Sequence, residues 1–268
     1  MIHPTAIIHS KARLDSSVEV RPYAVIDEGV ELGAECVVGP HVYLTGRTII
    51  GARNRFFAGC VIGEAPQDLK YRNEPTGVRI GEENMFREHV TVHRSSKVAE
   101  HTTIGSHNFL MQHSHVAHNV VLGDYVILAG GALLAGYARV EDRAFISGNC
   151  LVHQFVRVGT MALMQGGSGV SKDLPPFTVA YEVNKLCGLN VVGMRRAGMS
   201  AAERQELKQL YRALFREGKN LRDAMSAARK KFSSEPAKIM LDFIASSKRG
   251  ICFDTDGRGE TASDEENE

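Results

Sequence analysis

The chain of 268 residues has no long apolar run, no surplus of charge and no paired cysteines. Its longest uncharged stretch, Tyr125 to Ala138, is fourteen residues between Asp124 and Arg139, too short and too glycine-rich to span a bilayer as a helix. The N-terminal MIHPTAIIHSKARLD lacks the apolar segment of a secretion signal. A soluble, cytoplasmic protein with no transmembrane segment is the expectation. A formal net charge of +1 supplies no global field toward nucleic acid or an anionic membrane. The five cysteines, Cys36, Cys60, Cys150, Cys187 and Cys252, are odd in number and include no CxxC pair, which argues against a disulfide frame or a thiolate zinc cage. What is present is 43% hydrophobic residues, enough for a substantial core.

Those residues recur every six positions. Stepping from Ile2 through Ile8, Leu14 and Val20 to Val170, 27 of 29 positions are apolar, against about 12 expected from composition. Glycine often follows the aliphatic residue, as at Gly33, Gly51, Gly105 and Gly123, and the fourth residue after it is frequently small, as at Ala6, Ala12, Val18, Ala24, Cys36 and Cys60. A helix needs apolar residues every three to four positions and a simple strand every two. Period six with turn-forming glycine predicts a left-handed parallel β-helix of hexapeptide repeats, three hexads closing an 18-residue triangular coil. Cys36, Cys60 and Cys150 take the small inward position and read as core filler.

The phase breaks at Asp68 and Glu74, so an external loop is expected over about 64–79, and the helix domain is placed at 1–180. The pattern stops at Asp173-Leu-Pro-Pro176. From Ser200 the period becomes helical: Ser200 and Glu203 form a capping-box signature, and three short helices follow, the second from Leu221 to Phe232 and the third from near Pro236. A mainly β protein with a small α-helical C-terminal domain, 181–253, is expected, the helices covering the last coil. The segment Ser171 to Cys252 carries 16 basic against 8 acidic residues, and 254–268 reads as a disordered acidic tail.

Three histidines, His113, His115 and His118, fall within LMQHSHVAHNVVLGD. An 18-residue coil puts Gly136 one level above His118 and Gln154 one above that, on an outer column. An imidazole beside an open glycine N–H is what a general base and an oxyanion donor need. Outward residues of a solenoid are mostly solvated, so the pattern alone equally allows a plain surface histidine. Neutral imidazoles are also common zinc ligands. The three histidines, however, spread around a corner with no fourth ligand evident, and no metal is expected.

HxxH at His115 and His118, Ala135-Gly136, VHQF at 152–155, SGVSKDLPP at 168–176, QDLKY at 67–71 and GLNVVGMRRAG at 188–198 together resemble the acyl-[acyl-carrier-protein]:UDP-N-acetylglucosamine O-acyltransferases, which open lipid A synthesis. The resemblance runs from Ile2 to about Gly250. It implies a homotrimer with sites between neighbouring prisms, and His118 as the base for attack of a sugar 3-hydroxyl on an (R)-3-hydroxyacyl thioester. The Gly136 N–H would hold the oxyanion. It further implies that Gln67, Asp68, Lys70, His115, Tyr137, His153 and Gln154 line the sugar and acyl sites, that Asn190 and Arg196 approach the nucleotide, and that Gly166 lies near the acyl groove. No cofactor is implied, since phosphopantetheine arrives on acyl carrier protein, whose acidity suits the basic C-terminal module.

Four positions depart from the family's usual pattern: Asn119 where an aspartate orients the base, Tyr137 for histidine, Val192 for glutamate and Ala197 for a second arginine. YEVNKLC at 181–187 also replaces its usual turn. An amide at Asn119 can orient an imidazole but not balance its charge. These departures keep open a paralogue with a different nucleotide-sugar acceptor, including one that N-acylates, and a non-catalytic β-helix binding protein.

Overall fold

The structure, a computed structural model, describes residues 1–218 and 220–254. The acidic segment 255–268 lies outside the described residues. Very short strands, mostly two residues each, stack into three parallel sheets that form the sides of a left-handed triangular prism. The first side runs from Ile7–Ile8 to Gly169–Val170, the second from Arg13–Leu14 to Arg157–Val158, and the third from Glu19–Val20 upward. Most strands contribute one inward aliphatic side chain, with stacked Phe56 and Phe86 taking that place at two levels, and the next corner contributes one small side chain. Ala24, Val30, Cys36, Val42 and Cys60 are fully buried beside Ile26, Leu32, Val38, Leu44 and Ile62. That alternation fills a prism too narrow for two large residues per level.

The 18-residue register holds over most of the stack, as in Ile7 opposite Val25 and Leu133 opposite Leu151. It is broken twice, not once. Ile62 pairs with Val92, thirty residues on, because 65–76 leave the prism between the strands Val61–Glu64 and Gly77–Ile80. Val92 then pairs with Val116, twenty-four on, because a second excursion precedes the strand His101–Ile104. This insertion adds one period, so it preserves the phase of the repeat. Its apolar marker, Val98, is 55% exposed instead of inward.

A polar ladder runs inside the apolar prism. At successive small inward positions Asn54, Asn84 and Asn108 are buried. The Asn54 amide donates to the carbonyls of Gly51 and Gly81, and its Oδ1 accepts from the Asn84 backbone N–H and side-chain amide. Asn84 donates onward to the Gly105 carbonyl and accepts from the Asn108 N–H. These side chains satisfy corner groups at the levels where the chain departs and returns. Asn84→Ala strips partners from both neighbours at once, and is expected to lower stability by about 2–4 kcal/mol, read as a drop in the urea midpoint. A midpoint unchanged from wild type would show the ladder to be energetically idle.

The stack runs on past the last six-residue repeat. Thr178–Tyr181 continues the third sheet and turns back through Glu182 and Asn184, both at positive φ, into the antiparallel strand Lys185–Leu189. Helices α1 (Val191–Arg196), α2 (Ala201–Phe215), α3 (Leu221–Lys231) and α4 (Glu235–Ala245) follow. The first was not visible as a period because it is under two turns. Ser200 and Glu203 cap α2 reciprocally, as their spacing predicts. The joint between prism and helices is Arg157: its guanidinium donates to Asp173, to the Phe243 carbonyl and to Ser246, and lies 4.2 Å above the Phe243 ring. Asp254, expected in the tail, is instead buried in the strand Phe253–Asp254. It accepts from Tyr211 and Arg216, because a carboxylate under α2 needs both donors. Among the described residues no helix is long and apolar enough to cross a membrane.

Candidate active site

His118 follows the strand His115–Val116 by two residues and starts the turn toward the second sheet. Asn119, next in that turn, takes φ +59 and is buried, and its Oδ1 lies 3.0 Å from His118 Nδ1. Gly136 stacks directly above. A Cβ built there would lie 2.7 Å from both Cε1 and Nε2 of His118, so glycine is required by close approach. Among the described residues the Gly136 N–H donates to no backbone oxygen, since its level is tied by Tyr137 N–H to the His118 carbonyl.

His118 is the meeting point of two cavities of opposite character. One, about 600 Å³, is an apolar groove along the first sheet, walled by Leu133, Leu151, Val152, Val170 and Val183, with His115 and His153 on its sides. The other, about 750 Å³, is polar: Gln67, Asp68, Lys70, Ser96, Tyr137 and Gln154 surround it. Gln67 joins His118 in lining both. The loop that carries Gln67 is held by Arg94, which donates to the Tyr71 hydroxyl and the Gly63 carbonyl. Tyr137 sits edge-on to His118 at 5.4 Å, stacks on Phe155, and shares a hydrogen bond with the Ser96 hydroxyl.

The three histidines of the sequence motif therefore do different things. His113 occupies a corner at φ +57 and stacks on His89. His115 is half-buried; its Nδ1 meets the Thr91 hydroxyl at 2.7 Å and its ring stands edge-on to His93. Among the described residues no three His, Cys, Asp or Glu side chains converge as a metal ion would need. Burial, then the charges of His93 and His118, push the His115 imidazole down to about 4. His93, which sequence reasoning missed, is buried in the groove wall and is likewise lowered by burial, and among the described residues its Nδ1 has no hydrogen-bond partner. Stepping by 18 from His93 reaches Met111; the 24-residue register of the second insertion instead sets Thr91 opposite His115, and so brings His93, two residues further along that strand, into diagonal ring contact with His115 at 4.8 Å.

These lowered values set the acid sensitivity of the site. The unfolded chain binds a proton at His115 below about 6.5 and the folded chain only near 4, so stability falls as pH drops across that window. His115→Asn is expected to flatten the wild-type loss of about 2–3 kcal/mol between those limits, measured by urea denaturation at stepped pH. Identical acid slopes in the two proteins would refute it.

Gln67, Asp68, Lys70, His115, His118, Gly136, Tyr137, His153 and Gln154 thus surround one another. Asn190 and Arg196 do not join them. Asn190 caps α1 by accepting from the Gly193 N–H and donates to the Met161 carbonyl, while Arg196 is exposed in the last turn of α1. Neither lines the cavities at His118, nor does Gly166, which lies at a corner against the Gly148 carbonyl.

Comparison with known proteins agrees with this architecture along nearly the whole chain. Residues 101–136 match the bacterial transferase hexapeptide model of six repeats, and residues 173–252 match the model of UDP-N-acetylglucosamine O-acyltransferase, domain 2. The acyl-[acyl-carrier-protein]–UDP-N-acetylglucosamine O-acyltransferase of Syntrophobacter fumaroxidans is 44% identical over 254 residues, 93% of this chain and 98% of that protein. That of Thermodesulfovibrio yellowstonii is also 44% identical over 254 residues, 94% and 98%. The solved UDP-N-acetylglucosamine acyltransferase of Francisella novicida superimposes with a TM-score of 0.91 at 32% identity, covering 96% of this chain and 95% of that one. The chain belongs to the UDP-N-acetylglucosamine O-acyltransferase family.

Proposed function

We propose that the protein transfers an (R)-3-hydroxyacyl chain from acyl carrier protein to the 3-hydroxyl of UDP-N-acetylglucosamine, the first step of lipid A biosynthesis. The observation that carries this is His118 set between an apolar groove and a polar cleft, with an open glycine N–H above it. The groove suits the acyl chain and the cleft suits the sugar. His118 Nε2 takes the proton of the 3-hydroxyl as its oxygen attacks the thioester carbonyl. The resulting oxyanion accepts from the Gly136 N–H. Collapse breaks the carbon–sulfur bond, and the leaving phosphopantetheine thiolate recovers the proton from His118. Gln67, at the junction, would contact both substrates, with Asp68, Lys70 and Gln154 on the sugar.

The reading carries with it a homotrimer, a cytoplasmic location and no metal or diffusible cofactor. Trimer formation is supported by the incompleteness of the site in one chain: Leu151 and Val183 remain 54% and 64% exposed along the groove, and Leu69 at the loop tip 96%. A neighbouring prism would close the groove and exclude water from the thioester. Asn190 and Arg196 would then meet the nucleotide across that interface, the guanidinium fork suiting a diphosphate. The basic segment 171–252 suits acidic acyl carrier protein.

The test is product formation by mass spectrometry from UDP-N-acetylglucosamine and (R)-3-hydroxyacyl carrier proteins of several chain lengths. Acylated sugar nucleotide is expected. Product only with another UDP-sugar would move the acceptor assignment to the paralogue that Tyr137, Val192 and Ala197 allow, and no product with any of them would reject the activity.

A further inference from the structure

The amide at Asn119 raises a specific difficulty. An asparagine can turn either its oxygen or its nitrogen toward the neighbouring imidazole, and the wrong choice would place the proton on the nitrogen that must act as base. In the serine-protease triad the corresponding loss of a carboxylate costs about 10⁴-fold in turnover. Here the surroundings leave the amide one orientation. Its Oδ1 faces the Ser96 backbone N–H at 2.9 Å, a group that can only donate. Its Nδ2 lies 2.7 Å from Glu100 Oε2, an acceptor when ionised. It also lies 3.0 Å from the Ser95 hydroxyl, which spends its own proton on the Lys97 carbonyl and so can only accept. The oxygen therefore points at His118 Nδ1, and that nitrogen must carry the hydrogen. Nε2, on the Gly136 side, is left bare.

We propose that Glu100 is a positioning residue that supplies, one side chain further back, the negative charge that an aspartate at position 119 would have supplied directly. The line His118–Asn119–Glu100 is continuous in hydrogen bonds. As His118 takes up a proton, the amide between them polarises toward the carboxylate, and the positive charge on the ring is balanced through it. Glu100 ends the second insertion, and Ser95 and Ser96 open it. That excursion is thus the scaffold of this arrangement. Lys97, 3.2 Å from Glu100 Oε1, pairs with the carboxylate and shares its charge, so the effect is smaller than that of a direct carboxylate.

The inference rests on the proposed reaction, and the experiment separates the two. Glu100→Gln keeps size and the accepting oxygen but removes the charge; kcat is expected to fall about tenfold with KM for both substrates unchanged. Asn119→Asp alone sets two carboxylates against each other at hydrogen-bond distance and is expected to gain nothing over wild type. Asn119→Asp combined with Glu100→Gln moves the charge next to the ring and is expected to restore kcat to at least the wild-type value. A role confined to holding the insertion would leave that double variant as slow as Glu100→Gln, and that result, or wild-type kcat in Glu100→Gln, overturns the proposal. Nitrogen-15 NMR of histidine-labelled wild-type protein reads the tautomer without turnover: the neutral His118 ring is expected to hold its hydrogen on Nδ1. Hydrogen on Nε2 overturns the proposal whether or not the protein forms product, whereas absence of product with hydrogen on Nδ1 rejects only the assigned reaction.

Discussion

Alanine at position 118 is expected to lower kcat by about 10³-fold while leaving the fold and both KM values close to wild type. The size of the effect follows from the lack of a substitute base. His115 lies nearest in the groove, but burial pushes its imidazole down to about 4 and its Nδ1 is engaged by the Thr91 hydroxyl. His93 is enclosed behind it. His153 sits on the groove side, two levels above His115, with its Nδ1 toward the Gln154 carbonyl. The fold should survive because His118 is an outward, turn residue whose loss opens no space in the prism; the inward residue of that strand is Val116. The measurement is steady-state kinetics with circular dichroism as the control for folding. Added imidazole, fitting the vacated space beside Gly136, should recover part of the rate. A variant within tenfold of wild type would remove His118 from the reaction and leave the two cavities without a base between them.

The ease with which His118 was found, and the difficulty with Glu100 and His93, have one physical origin. Between His118, Gly136 and Gln154 the chain completes undisturbed 18-residue coils, so spacing in sequence is position in space. His93 and Glu100 lie at the two ends of an insertion whose length equals the repeat, and whose apolar Val98 stands where a core residue is due. Period counting cannot detect an insertion of one period. The loop at 65–76 was legible because Asp68 and Glu74 put charge where the core should be. The asparagine ladder ran the other way: Asn54, Asn84 and Asn108 occupy the small inward position that sequence reading reserves for apolar residues, and only the corner backbone groups they meet explain them, carbonyls for Asn54 and Asn84 and the Val126 N–H for Asn108. Asn190 and Arg196 were named by resemblance, and nothing in a single chain's spacing relates them to His118.

Gly136→Ala adds one methyl group and is expected to reduce kcat by about 10²-fold without unfolding the protein. The backbone at Gly136 has no left-handed φ, so alanine is conformationally acceptable, and the N–H proposed to hold the oxyanion is retained. What the methyl group meets is the imidazole, 2.7 Å from both Cε1 and Nε2. A flexible side chain would swing aside at little cost. His118 cannot do so freely, since its Nδ1 is tied to Asn119 on one side and its face is met by Tyr137 on another. Relief therefore comes from a displacement of the ring on the order of 1 Å, which moves Nε2 off the line to the attacking hydroxyl while leaving the groove and cleft open. KM should change little and kcat should carry the loss, a split that steady-state kinetics resolves directly. Loss of structure would instead appear in the melting curve, and its absence is part of the expectation. If Gly136→Ala turned over within threefold of wild type, the ring would have room that the stacked column denies it, and the glycine would be an accident of the corner, not a requirement of the base.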